Sequence, residues 1–198
     1  MLKNQLRPAI LATVVLCLLT GVLYPGLVTG IAQALFPRQA NGSLVEVNGR
    51  VVGSELIGQA FTQPWYFHPR PSAAGSGYDP TASAGTNKGP TDARLADTLL
   101  AGSVAEVVEQ DGGVKGKIPA DMVTRSASGL DPHISPANAE LQVARVARAR
   151  GATKAAVQVV LRQHVEGRQF GFFGEPRVNV LLLNIALDST VPRPHGQP

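Results

Sequence analysis

The chain has 198 residues, a formal net charge of +4 and 16% charged residues. Its lysines and arginines are scattered, which excludes the basic face of a nucleic-acid binder. The only cysteine is Cys17, so an internal disulfide and a cysteine-built metal site are both excluded.

Residues 9–36 contain no charged side chain. At about 1.5 Å per residue, a helix of roughly 28 residues extends about 42 Å. The hydrocarbon core of a bilayer is about 30 Å thick, so the run is long enough to span it with tilt to spare. A competing reading is a cleaved secretory signal. Lys3 and Arg7 make a basic start, and Ala32-Gln33-Ala34 has the small-x-small form of a cleavage site. The run continues past Tyr24-Pro25, longer than a signal's apolar segment, which favours a retained anchor. Gly26 and Gly30 form a GxxxG pair, and Cys17 and Gly21 repeat the small-residue spacing one face earlier. Such spacing lets a second helix approach closely. Pro25 removes a backbone donor and is expected to kink or break the helix. The freed carbonyl would be met by a partner helix, or by interfacial water beside Tyr24.

Beyond a hinge at residues 37–41, residues 43–52 read SLVEVNGRVV. Asn48-Gly49 between apolar alternations is a strong hairpin signal. Residues 53–61 are expected to form a short amphipathic turn packing Leu56, Ile57 and Phe61. Residues 62–92 are dense in Pro, Gly, Ser and Thr but carry Trp65, Tyr66, Phe67 and Tyr78. Disordered segments are poor in aromatics, so this reads as a long ordered loop pinned by Trp65, Phe67 and Tyr78. A helix is expected over residues 91–110, with Thr91 as its cap, Leu95, Leu99, Leu100, Val104, Val107 and Val108 as its apolar side, and Asp111-Gly112-Gly113 as its stop. A short strand is expected over 117–124. Ser135-Pro136 opens a helix that Gly151 stops. Thr153 opens a third, to residue 165, with Val157, Val160, Leu161 and His164 on one side. Residues 178–187, VNVLLLNIAL, read as a covered central strand, and 189–198 as a disordered tail.

The pattern gives an α+β protein: residues 1–8 a short cytoplasmic N-terminus, 9–36 a single N-terminal transmembrane helix, and 37–188 one small mixed extramembrane domain. Its candidate interface residues are Trp65, Tyr66, Phe67, His68 and Arg70, because aromatics beside arginine are enriched at binding hot spots; the alternative is that the aromatics fill the core. The four histidines, His68, His133, His164 and His195, share no metal-ligand spacing. His164 reads as a packed histidine, and Gly75-Ser76-Gly77 as a turn. Ser126, Ser128 and Asp131 in SASGLD form a hydroxyl–carboxylate group, but Ser and Asp also bond local backbone in turns. No catalytic constellation stands out.

Several blocks, in order, carry a resemblance: LRPA at 6–9, Tyr24-Pro25, QANGSL at 39–44, LIGQAF at 56–61, YFHPRPSA at 66–73, YDPTASAGTN at 78–87, SASGLD at 126–131, RVARARG at 145–151 and GEPRVNVLLLNIALD at 174–188. Over nearly its whole length the chain resembles the KdpC family, the C subunit of the bacterial Kdp potassium-transporting P-type ATPase. It departs at 83–87, where the family usually reads SGGSN and this chain has Ser83-Ala84-Gly85-Thr86-Asn87, and at Lys88, where the family is usually uncharged. An alanine at 84 would resist a positive φ.

The resemblance implies an accessory, non-catalytic subunit of an ATP-driven potassium uptake complex. Such a subunit stabilises assembly and promotes ATP binding by the catalytic subunit. Its implied partners are a channel-like potassium-binding subunit, an ATP-hydrolysing subunit, a small membrane peptide and the lipid bilayer. No cofactor is expected on the chain itself; ATP and the transported potassium belong to the complex. The location implied is the bacterial inner membrane, single-pass. The signal-like order of the N-terminus puts the domain outside the cytoplasm. The alternatives are a membrane-anchored extracytoplasmic hydrolase using His68 or Ser126, and a secreted binding protein released at Ala34.

Overall fold

A computed structural model describes residues 2–191 and 193. Contacts divide the chain into two units, Met1–Val52 and Gly53–Pro198.

The first unit is dominated by a helix that starts earlier than the uncharged run. It comprises α1 (Leu2–Leu18), a π-turn (Leu19–Leu23) and α2 (Tyr24–Leu35). The most apolar 18-residue window within Asn4–Leu35 has a mean hydropathy of 2.2, and none of that window is buried among the described residues. The helix is long and apolar enough to cross a membrane, as expected. Pro25 does not break it. Its ring would meet the carbonyl four residues earlier in an ordinary α-turn. The preceding turn is widened instead, and the Tyr24 amide donates to the Leu19 carbonyl, five residues back. A π-bulge is a recognised way for an α-helix to take up such an irregularity. The helix ends at Phe36, and α3 (Pro37–Ala40) adds one turn.

The Asn48-Gly49 hairpin is present, pairing β1 (Leu44–Val47) with β2 (Arg50–Ser54). Asn48 and Gly49 have φ of 52° and 75°, the positive φ at both centres that a type I′ turn needs. The next turn does not pack as expected: Leu56 and Ile57 face solvent, and only Phe61 reaches the core.

Within Gly53–Pro198, the helix expected over 91–110 begins as a π-turn (Leu95–Leu100) and continues as α4 (Ala101–Asp111). Asp92, not Thr91, turns the chain into it, accepting from the Arg94 amide at 2.9 Å. The Asp carboxylate, one bond longer than a Thr hydroxyl, makes the local Asx turn to the amide two residues on. Gly112 closes the helix at φ 71°. The strand expected over 117–124 is instead a helical turn, α5 (Ala120–Val123). Pro119 precedes it, and Asp121 faces α6 to accept hydrogen bonds, a role a short strand would not give it.

The core forms where β3 (His133–Ile134), α6 (Pro136–Arg150), α7 (Lys154–Gln163), β4 (Val165–Glu166), β5 (Arg177–Asn179) and α8 (Val180–Thr190) meet. β5 lies between β3 and β4, antiparallel to both, pairing Val178 with Ile134 and with Val165. Ser135 caps α6 by accepting from the Asn138 amide at 3.1 Å, and Thr153 caps α7 through the Ala156 amide at 3.2 Å. Val143, Val146, Val157, Val160, Val178, Leu183 and Leu187 fill the space between these elements.

The strand expected over 178–187 is the largest correction. Only Val178 and Asn179 extend, and the rest is helix. An all-apolar run has no period with which to separate a strand from a buried helix. The deciding residue is Asn179, whose side chain accepts from the Leu182 amide at 3.2 Å and caps α8. Leucine and alanine then favour the helix. Of the tail expected from Ser189, Ser189 and Thr190 end α8; Pro192 and residues 194–198, with His195, lie outside the described residues.

Candidate functional site

The long loop is ordered, and its backbone is held by polar side chains of α6 and α8. The buried Asn184 accepts from the Phe67 amide at 2.8 Å and donates to the Phe67 carbonyl at 3.0 Å. Gln142 does the same at His68, at 2.7 and 2.9 Å, and donates to Asn138 at 2.7 Å. Arg145 donates to the carbonyls of Pro64 and Tyr66, both at 2.8 Å, and to Asp111 at 2.7 Å. Arg150 donates to the Trp65 carbonyl at 2.8 Å and to Asp188 at 2.9 Å. These contacts replace the ladder partners that a loop lacks, so buried backbone groups are satisfied without a sheet.

The expected interface residues divide by burial. Phe67 is fully buried and Trp65 nearly so, within the core. Tyr66 is half-buried, packs edge-on against Phe61 at 5.3 Å, lies beneath Arg150, and donates to Asp188 at 2.7 Å. Burial, then the bonded Asp188 carboxylate, raises the pKa of its phenol. His68 sits in the wall of a cleft of about 430 Å³ with Arg70, Tyr78, Glu106 and Asp111. Burial first, and then the Arg145 guanidinium, push its imidazole below the ordinary range, so the ring is neutral near pH 7.

Arg70 pairs with Asp131 at 3.1 Å and reaches the Thr124 hydroxyl at 3.4 Å, tying the loop to residues 124–131. Burial works against the Asp131 carboxylate, but His133 and Arg70 together hold its pKa below the usual range. Ser72 donates to the Gly129 carbonyl at 2.6 Å, Ser83 donates to the Ser128 carbonyl at 2.9 Å, and Tyr78 donates to the Arg70 carbonyl. Burial, then the Asp131 charge, drives the Tyr78 phenol far upward.

The SASGLD stretch therefore serves as a seam. Ser128 accepts from the Leu130 amide and Asp131 from the His133 amide, which are local turn bonds. Ala84 stays out of the left-handed region, which Asn87 takes at φ 51°. Lys88 pairs with Asp92 at 3.0 Å. His164 is bonded to its own helix through the Val160 carbonyl at 2.9 Å. Among the described residues no group of three His, Cys, Asp or Glu side chains is placed to hold a metal ion. The cleft's polar groups are largely spent on the protein: Gln142 on His68, Asp111 on Arg145, Glu106 on Gln110. On the membrane helix, the Cβ positions of Gly21, Gly26 and Gly30 meet nothing within 4 Å, and Cys17 is exposed.

The clamp residues were not singled out from the sequence. Their signal is present: Asn138, Gln142 and Arg145 follow at spacings of four and three, which puts amides and a guanidinium on one face of an Ala/Val-rich helix.

A family model for KdpC, described as the c chain of the K+-transporting ATPase, matches residues 6–189. A potassium-transporting ATPase KdpC subunit from Gemmatimonas aurantiaca is 64% identical over 189 residues, covering 95% of this chain and 94% of the relative. Those from Koribacter versatilis and Geobacter sulfurreducens are each 53% identical over 193 residues, covering 98% and 96% of this chain and 98% and 100% of the relatives. With one membrane-length helix among its described residues, its mixed α+β domain and this match along almost its entire length, the chain belongs to the KdpC family, as a non-catalytic subunit of a potassium-transporting ATPase.

Proposed function

We propose that the chain is the accessory subunit that stabilises assembly of its potassium-transporting ATPase and raises the affinity of the catalytic subunit for ATP. Its partners on this reading are a channel-like potassium-binding subunit, an ATP-hydrolysing subunit and a small membrane peptide. The observation that carries the reading is the family match over residues 6–189. The apolar helix supports it, since it is long and apolar enough to cross a membrane. Purification from native membranes tests it. Potassium-ATPase subunits should co-purify with the chain; a lone chain would contradict assembly.

The domain lies outside the cytoplasm on this proposal, on the potassium entry side. Cytoplasmic ATP is then out of its reach, and its effect on ATP affinity is a coupling between separate sites, typically about 1–3 kcal/mol. Exposed Ser76 and Ser189 are suited to test this as single cysteines in a Cys17→Ala background. An impermeant thiol reagent should label both in intact cells once any outer membrane is opened. Labelling only after lysis would place the domain inside and restore direct contact with nucleotide.

A further inference from the structure

Between β4 and β5 the chain forms a tight hairpin whose tip is the sequence Phe170-Gly171-Phe172-Phe173. The three rings are 87%, 64% and 58% exposed. The tip is well fixed. The Gln169 amide donates to the Phe173 carbonyl and the Phe173 amide returns the bond, both at 2.9 Å; the Phe172 amide also donates to the Gln169 carbonyl at 3.2 Å. Arg168 grips both oxygens of Glu175 at 2.8 Å, and Arg177 holds Glu166 at 2.9 Å. Phe172 and Phe173 lie with ring centroids 4.2 Å apart.

Two features show that folding alone does not explain these residues. Phe170 has φ of 52°, beside Gly171 at 82°. A bulky residue in the left-handed region is strained, and Phe170 recovers little by packing because it is the most exposed of the three. Strain at an exposed, ordered position points toward function. The rings also present roughly 400 Å² of apolar surface together, enough to mark an interaction site.

We propose that Phe170, Phe172 and Phe173 are a preformed anchor that seats in an apolar pocket on another subunit of the potassium-transporting ATPase. The proposal rests on the accessory-subunit reading above. A protein pocket, not the bilayer surface, is the occupant because the charges at the hairpin's base are paired one to one. A loop that seats on lipid headgroups carries cations for anionic lipid, whereas Arg168 and Arg177 are each neutralised by a glutamate. Rigid aromatic anchors lose little freedom on binding, which suits a hot spot.

The test uses the full chain expressed with its complex and purified in detergent, where lipid contacts are replaced. Replacing all three phenylalanines with serine should reduce co-purifying subunits by about tenfold or more. The variant's own unfolding midpoint should hold, since the rings lie outside the core cluster. As a second measurement, Phe172 is replaced by photoreactive p-benzoylphenylalanine in the assembled complex. A crosslink to another ATPase subunit supports the anchor. A crosslink to lipid alone, no crosslink, or wild-type assembly of the triple serine variant overturns it. A wild-type chain that captures no ATPase subunit sinks the accessory reading itself, so the two failures are told apart.

Discussion

His68 and Asn184 show how single side chains set the loop's stability. The folded His68 ring is held neutral by burial and by Arg145, whereas in the unfolded chain it protonates near its ordinary value of 6.5. The unfolded state therefore binds more protons below that value, and stability falls as pH drops from about 6.5 toward the lower folded pKa. Comparing unfolding midpoints of the detergent-solubilised chain at pH 7.5 and 5.5 should show this loss. His68→Gln should shrink it, and an unchanged pH slope in that variant would contradict the assignment. Asn184 has no titration to exploit, but it satisfies both backbone groups of Phe67 in the core. Asn184→Ala leaves a buried donor and a buried acceptor unpaired and should cost about 2–4 kcal/mol of unfolding free energy in denaturant titrations. Asn184→Asp keeps the acceptor for the amide but sets a carboxylate against the carbonyl, so it should not rescue. Arg70 is a weaker probe of binding than its sequence context implies. Arg70→Ala also unties the loop from Asp131 and Thr124, so a loss of assembly there mixes folding with contact.

The joint between α5 and α6 is the most testable at the level of elements. Asp121 accepts from the Ser135 amide at 2.7 Å, the Ser135 hydroxyl at 2.9 Å and the Asn138 amide group at 3.0 Å. Ser135 in turn caps α6. Ser135→Ala should cost about 1 kcal/mol as a lost cap. Combined with Asp121→Asn, the loss should fall short of the sum by at least about 0.5 kcal/mol, because one network is broken twice. Strict additivity would show that the cap and the carboxylate act independently. This joint also marks where sequence reading succeeds and where it stops. Ser135-Pro136, Thr153, Gly112 and Gly151 act through backbone chemistry that is local, so both ends of α6 and the start of α7 were legible. Asn48-Gly49 was legible for the same reason. The clamp of Gln142, Arg145, Arg150 and Asn184 is not, because the loop groups it holds are backbone carbonyls and amides far along the chain, which leave no side-chain signature. The run from 178 reads as a strand but folds mostly as helix: burial on every side erases its period and leaves only the capping side chain of Asn179 to decide. The π-turn before Pro25 was invisible for a related reason: a proline announces a conflict in the helix but not how the backbone resolves it.

The whole molecule combines a membrane helix open at Gly26 and Gly30, a loop strapped onto a helical core, and membership in a potassium-transporting ATPase. Replacing Gly26 and Gly30 with leucine should weaken assembly, because bulk would hold apart backbones that small residues let touch; unchanged co-purification would mean that this face points to lipid. Intact mass should retain Cys17, whereas a mature start at Leu35 would mark the helix as a cleaved leader. On the proposed function, this subunit tunes ATP affinity without hydrolysing ATP. The most direct measurement is the ATP dependence of potassium-stimulated hydrolysis by the complex purified with and without the chain. Omitting the chain should raise the KM for ATP by a factor of about 5–150, the span of an ordinary coupling energy, and adding it back should restore the value. An assembled complex with the same KM in its presence and absence would contradict that role.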